Sequence, residues 1–109
     1  MNDHRALGRR MHAAFNARDF AAMPELFALD FVSHPMGTTG RASIEQTWAA
    51  MVRRHPEVRS EIEHILVDGD TVAIHARIHG AGAPAQLVEI FRVENGLIAE
   101  LWGLSDLVR

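Results

Sequence analysis

The sequence predicts a single α+β domain with N-terminal helices packed on a curved, mostly antiparallel sheet. Three observations support this fold class. Apolar residues recur at helical spacing in the first half, and apolar and polar residues alternate in the second half. The third observation is Asn95-Gly96 between two apolar runs, which is a strong hairpin signal. The 109 residues match the length of one domain, so we expect residues 1–109 to form a single unit.

Three helices are expected in the first half of the chain. The first begins at Asp3, its N-cap, and ends near Ala17. A second, short helix carries the apolar residues between Phe20 and Phe27. The third extends from about Ser43 to Arg54, and Ser43 with Gln46 matches a capping-box pattern. Helices that precede a run of strands are typical of an α+β fold.

Strands account for most of the second half. A short strand, Phe31–His34, stands between the second and third helices, and Pro35 ends it. The long strands are expected at Val58–Val67, Thr71–His79, Ala85–Val93 and Leu97 to about Asp106. Their short connections predict an antiparallel meander.

Composition excludes several classes of function. The net charge is −3 with the seven histidines neutral, so the chain offers no basic field for nucleic acid. It has no cysteine, which excludes disulfides and zinc–thiolate sites. No apolar run follows the N-terminus, which predicts a cytoplasmic protein without membrane contact.

Three segments carry a resemblance to a known family. The hairpin VEIFRVENGLIAELW (88–102) and the segment VDGDTVAIH (67–75), preceded by FVSHP (31–35), resemble the SnoaL-like proteins. These belong to the nuclear-transport-factor-2-like superfamily, with ketosteroid isomerases and limonene epoxide hydrolases. The resemblance covers nearly the whole chain in the order of its elements.

The resemblance implies a cone-shaped α+β barrel, a homodimer through the outer face of the sheet and an apolar cavity that binds a small hydrophobic molecule. It also implies acid/base chemistry without a cofactor. Only seven residues follow Trp102, which implies a smaller or more open cavity. The oxyanion-donating tyrosine of ketosteroid isomerases has no counterpart, because the chain contains no tyrosine.

Asp106 and Glu89 are the candidate catalytic carboxylates. By resemblance, Asp106 occupies the place of a catalytic aspartate in SnoaL-like cyclases. A carboxylate at the mouth of an apolar cavity is poorly solvated and can act as acid or base, whereas a solvated aspartate would be inert. The direction of the Glu89 side chain depends on the hairpin register, which the sequence leaves open. A two-residue turn at Asn95-Gly96 puts Glu89 opposite Trp102, and a longer bulged loop breaks that pairing. The longer loop would instead put Arg92 on one face with Glu100 and Trp102.

His34 and His75 are the candidate proton relays. His34 follows an apolar run, where relatives often have histidine or asparagine, and it could also be a loop histidine bonded to backbone. His75 could line the cavity beside Glu89 or lie on the outer face with Arg77 and His79. No metal is expected, since His75 and His79 are roughly 13 Å apart along one strand.

Large apolar side chains would form the cavity wall, although each could equally be core. The predicted substrate-binding residues are Met11, Phe15, Phe27, Phe31, Trp48, Met51 and Trp102. Their methionines and aromatic rings suit an adaptable apolar site.

Three hypotheses for the function follow. The first is cofactor-independent aldol-type cyclisation or isomerisation by proton transfer. The second is epoxide hydrolysis of the limonene-epoxide-hydrolase type, which needs Asp106, Glu89 and Arg92 around one water. The third is a non-catalytic, dimeric ligand-binding module.

Overall fold

A computed structural model describes residues 3–107. Its helices precede most of its strands, as the sequence predicts. The elements are α1 (His4–Ala17), a 3₁₀ turn (Phe20–Ala22), α2 (Met23–Leu26), β1 (Phe27–Ser33), β2 (Thr38–Thr39), α3 (Arg41–Arg54), β3 (Arg59–Asp68), β4 (Thr71–His79), β5 (Ala85–Glu94) and β6 (Leu97–Ser105).

The six strands form one curved sheet in the order β2-β1-β6-β5-β4-β3. β1 is parallel to β6, and the other neighbouring strands are antiparallel. The sheet stays open, with β2 and β3 at its edges. The α+β class is confirmed, because the helices pack on one face of this sheet. We call the opposite face the outer face.

The ends of the helices follow the predicted chemistry at one place and depart from it at two. Asp3 caps α1 through its carboxylate, which accepts a hydrogen bond from the backbone N–H of Arg5. The predicted capping box at Ser43 is wrong, since α3 begins two residues earlier after Gly40. The Ser43 hydroxyl instead donates to the Gly40 carbonyl. Phe27 is extended and begins β1 rather than ending the second helix.

A β-bulge in the terminal hairpin decides which side chains of β6 face the helices. Asn95 and Gly96 form a two-residue turn, both with positive φ, as a type I′ turn requires. The pairing then shifts at Ala99, so Arg92 lies opposite Glu100 and Glu89 lies opposite Gly103. Arg92, Glu100 and Trp102 therefore share one face of the hairpin, as expected for a longer loop. The connection is nevertheless a tight turn followed by a bulge.

A second bulge interrupts β3. Ile62 pairs with Ala76 and His64 pairs with His75, so Glu63 is an extra residue without a partner in β4. Exposure along β3 alternates on both sides of this point, yet Glu63 and His64 are both exposed. Ile62 and Ile65 consequently both turn toward the helices.

The core lies between α1, α2 and the inner face of the sheet. Its largest fully buried side chains are Phe27, Phe31, Phe91, Met23, Leu26, Ile74, Ile98, Val58 and Val72. None of the helices within residues 3–107 has both the length and the apolar content needed to cross a bilayer.

Candidate functional site

A cavity of about 270 Å³ lies between α1, α3 and the inner face of the sheet. Most of its lining is apolar. Five of the seven predicted wall residues contribute to it, namely Met11, Phe15, Phe27, Trp48 and Met51. Edge-to-face contacts hold the aromatic wall, with the Trp48 ring 5.3 Å from Phe15 and 5.8 Å from Phe27 between centroids.

The other two predicted wall residues lie elsewhere. Phe31 is fully buried and packs its ring 4.9 Å from that of Phe27, so it belongs to the core rather than the lining. Trp102 lies on the outer face, because the bulge at Ala99 gives the inward position to Gly103. The difference at Trp102 arises from strand phase, which side-chain type does not reveal.

Glu89 is the carboxylate that the fold brings into the cavity. Glu89 lies at an inward position of β5, and only 7% of its surface is exposed to solvent. Opposite Glu89, Gly103 presents no side chain, and a methyl group built there would lie 3.6 Å from the Glu89 Cβ. A side chain at this position would therefore pack beside Glu89, and Gly103 itself lines the cavity.

His12 of α1 is the partner of Glu89. Its Nε2 lies 2.5 Å from Oε1 of Glu89, and the residue is likewise 7% exposed. Its other ring nitrogen, Nδ1, lies 2.8 Å from the Ser60 hydroxyl of β3. With the carboxylate ionised, Nε2–H donates to Glu89 and Nδ1 accepts the Ser60 proton. A chain of hydrogen bonds thus joins three elements at the polar end of the cavity.

The backbone of Ser60 is itself fixed by α1. Asn16 lies one turn beyond His12 and exchanges two hydrogen bonds with the Ser60 backbone, at 2.9 Å to its carbonyl and 2.8 Å from its N–H. His12 and Asn16, on successive turns of α1, both bond Ser60. These contacts together fix the Ser60 hydroxyl against the His12 ring and so orient the ring.

Asp106 lies outside the cavity lining. Its carboxylate is exposed and accepts a hydrogen bond from the backbone N–H of Gln86, 2.5 Å away. The neighbouring residues Ser105 and Leu107 do line the cavity. The side chain of Asp106 therefore fastens the end of β6 to β5, and we assign it no role in the cavity.

His34 also lies on the outer face. Its ring stacks on Trp102 at 4.9 Å, and its Nε2 contacts Oε2 of Glu100 at 2.6 Å. Arg92 joins the same cluster through Glu100 and Glu94. The hydrogen bond from His34, with support from Arg92, holds the pKa of the Glu100 carboxyl below its ordinary value.

His75 faces away from the cavity. In β4 it pairs with Val88, and the neighbouring Ile74 pairs with Glu89, so the two candidates point to opposite faces of the sheet. The predicted placement of His75 beside Glu89 is therefore wrong. His75 contacts Gln86 and His64 instead.

The histidine that does meet Glu89 carries a weak sequence signal. His12 directly follows Met11 on the apolar stripe of α1, and Leu7, Gly8, Met11 and His12 are all buried. A titratable residue at the edge of such a stripe is a candidate for a pocket. Nothing in the sequence pairs His12 with Glu89 or Ser60, because those contacts form only in the tertiary structure.

The chain belongs to the SnoaL-like domain family, whose model matches residues 8–101. No curated protein matches the sequence. Among solved structures, it resembles IdmH of Streptomyces antibioticus, assigned as a polyketide cyclase, with a TM-score of 0.88 and 22% identity over 96% of this chain and 93% of that one.

Two further structures share the fold. A protein of Sinorhizobium meliloti assigned as a polyketide cyclase has a TM-score of 0.81 and 27% identity, over 91% of this chain and 94% of that one. A protein of Kribbella flavida assigned as a ketosteroid isomerase has a TM-score of 0.80 and 20% identity, over 96% and 78%. The chain therefore shares the fold of these three structures.

Proposed function

We propose that the protein binds a small, largely apolar carbonyl compound in its cavity and moves a proton on it by acid/base catalysis. The observation that carries the proposal is the contact between Glu89 and His12 in a mostly apolar cavity. A buried ionisable pair contributes little to stability compared with apolar residues of similar volume. Its place in a cavity therefore favours a functional role.

The chemistry follows from the atoms present. Glu89 uses Oε1 to accept from His12, and no other side chain among residues 3–107 bonds its Oε2. That oxygen can take a proton from the carbon next to a carbonyl, so that a C–H bond breaks and an enolate forms. Return of the proton at another carbon is isomerisation. Attack of the enolate on a second carbonyl closes a ring, and the new alkoxide takes the proton.

Cavity size limits the ligand. About 270 Å³ is slightly below the roughly 300–1,000 Å³ typical of pockets for drug-sized molecules. A compound of one or two rings suits this volume. The relatives' assignments as polyketide cyclase and ketosteroid isomerase support carbonyl chemistry of this class.

Epoxide hydrolysis has less support. The arrangement would need Asp106, Glu89 and Arg92 around one water. Glu89 points into the cavity, Arg92 pairs with Glu94 and Glu100 on the outer face, and Asp106 bonds the backbone of Gln86. The three groups do not converge.

A test that needs no natural substrate is deuterium exchange at the α-carbons of cyclohexanone in D₂O, followed by proton NMR. The wild-type protein should accelerate exchange, and Glu89→Gln should remove the acceleration, because the amide is not a base. Glu94→Gln, an exposed acid on the same strand, is the matched control and should exchange at the wild-type rate.

The outcomes separate the remaining hypotheses. Acceleration that survives Glu89→Gln would overturn the assignment of the base. Saturable binding of cyclohexanone without exchange would support the non-catalytic binding module. Absence of both binding and exchange would overturn the proposed ligand class.

We also propose a homodimer formed through the outer face. Val88 with Leu104 and Ile90 with Trp102 are neighbouring cross-strand pairs on β5 and β6, and all four are exposed. Adjacent exposed apolar residues of this kind mark contact surfaces. A second copy of the chain would present the same patch, as a twofold interface requires.

A further inference from the structure

A cluster of metal-ligating side chains lies on the outer face, away from the cavity. It contains Glu63 and His64 of β3 and His75 of β4. The bulge in β3 creates it, because the extra residue lets two consecutive side chains, Glu63 and His64, turn outward beside His75. A regular strand would direct one of them inward.

The ligand atoms are already close together. The Nδ1 atoms of His64 and His75 are 3.0 Å apart, and Oε2 of Glu63 lies 3.9 Å from the His75 Nδ1. One potential ligand atom from each residue lies within 4.8 Å of the other two. Two nitrogens bound to one tetrahedral zinc ion at about 2.0–2.1 Å are about 3.3 Å apart. The imidazole pair therefore needs only a small adjustment.

Gln86 orients His75, one of the three candidate metal ligands. Nε2 of His75 lies 2.5 Å from Oε1 of Gln86 on β5 and donates its proton there. That hydrogen bond places the ring's lone pair on Nδ1, which faces His64. Metal-binding histidines commonly have their second nitrogen bonded in this way, which fixes both the tautomer and the ring orientation.

We propose that Glu63, His64 and His75 form a binding site for a divalent transition-metal ion such as Zn²⁺, Ni²⁺ or Cu²⁺. Two imidazoles and one carboxylate favour these metals over Mg²⁺ or Ca²⁺, which prefer oxygen ligands. Water would fill the remaining positions, since Glu63 and His64 are exposed.

Arg77 sets a limit on the affinity of the site. Its Nε lies 2.9 Å from Oε1 of Glu63, so the carboxylate approaches the metal with Oε2. A guanidinium beside a ligand opposes a cation and weakens its binding. Removing this charge in Arg77→Met should therefore tighten metal binding by several-fold.

The test is titration of the untagged, full-length protein with ZnCl₂ by isothermal calorimetry. We expect one ion per chain, and we expect His64→Ala and His75→Ala each to weaken binding at least about tenfold. His79→Ala is the matched control, because His79 lies on the same strand and face as His75 but pairs with Glu61. Circular dichroism checks that each variant is folded.

A second readout identifies the ligands. Electron paramagnetic resonance of the Cu²⁺ complex should show coupling to two imidazole nitrogens in the wild type and to one in either alanine variant. The proposal is overturned if Zn²⁺ shows no saturable binding below about 1 mM. It is also overturned if His79→Ala weakens binding as much as His75→Ala does, or if neither cluster variant changes it.

Discussion

Nε2 of His12 lies 2.5 Å from Oε1 of Glu89, across 77 positions of the sequence and from a helix to a strand. The same imidazole reaches Ser60 through Nδ1, so one side chain connects α1 with β3 and β5. Of the four side chains predicted to be catalytic, only Glu89 lines the cavity. The partner it meets there is a residue that the sequence did not single out.

Replacing this pair should separate stability from activity. Glu89→Leu or His12→Leu alone should lower the free energy of unfolding by about 3–5 kcal/mol, because each leaves a buried polar partner unpaired. The double variant should equal the wild type or exceed it by about 1–4 kcal/mol, while losing ketone exchange. Urea unfolding measures the three values.

Glu45→Leu, on the exposed side of α3, controls for added apolar surface and should change the free energy of unfolding by less than about 0.5 kcal/mol. If the losses of the two single variants simply add in the double variant, the two side chains are not coupled.

Gly103→Val should fill the space beside Glu89. Gly103 has an ordinary strand backbone, and the nearest atom to a Cβ placed there is the Val88 carbonyl oxygen at 3.4 Å. The fold should therefore tolerate a side chain that projects into the cavity. We expect cyclohexanone affinity to fall about tenfold or more, measured by NMR titration, with the midpoint of urea unfolding little changed.

Ala73→Val adds similar volume on the outer face of β4 and should leave ketone binding unaltered. Equal affinity in the wild type and Gly103→Val would mean that the ketone binds elsewhere.

The pH dependence of stability should include a contribution from Glu100. Its pKa is lowered in the folded protein, chiefly by the hydrogen bond from His34 and further by Arg92. The folded state therefore gains stability at pH values above the ordinary glutamate pKa. That gain disappears as the pH falls through the lowered pKa.

The free energy of unfolding of the wild type should exceed that of Glu100→Gln near pH 7, and the difference should shrink on acidification below about pH 4.5. Urea titrations at several pH values measure it. A difference that stays constant down to pH 3 would contradict the ionic origin of the effect.

The proposed dimer should depend on the apolar patch of β5 and β6. Ile90→Asp puts a charge at an exposed position between Val88 and Arg92, and in a twofold interface the two charges would be desolvated together. Sedimentation velocity should show a dimer for the wild type and a monomer for this variant.

Leu29→Ser, which removes another exposed apolar side chain on β1, should leave the dimer intact. A wild-type protein that sediments as a monomer at micromolar concentration would exclude this interface.

The sequence by itself determined the order and type of most elements, although it did not predict the short strand β2. Asp3 marks the start of α1, the alternation of β4 gives its bounds as Thr71–His79, and Asn95-Gly96 gives the hairpin turn. These signals are local, since capping, strand alternation and turn conformation depend on a few consecutive residues. The family resemblance was likewise readable from contiguous segments, and the family is confirmed.

The candidate site was decided by tertiary structure, because single-residue bulges and long-range contacts set it. Glu89 faces inward with Ile74, its partner in β4, and the shift at Ala99 turns Trp102 outward. The extra residue Glu63 creates the outer cluster. Side chains alternate with a period of two, so one inserted residue reverses the faces of all that follow. Whether His12 meets Glu89 depends in turn on how α1 packs across β3 and β5, a relationship that no local pattern encodes.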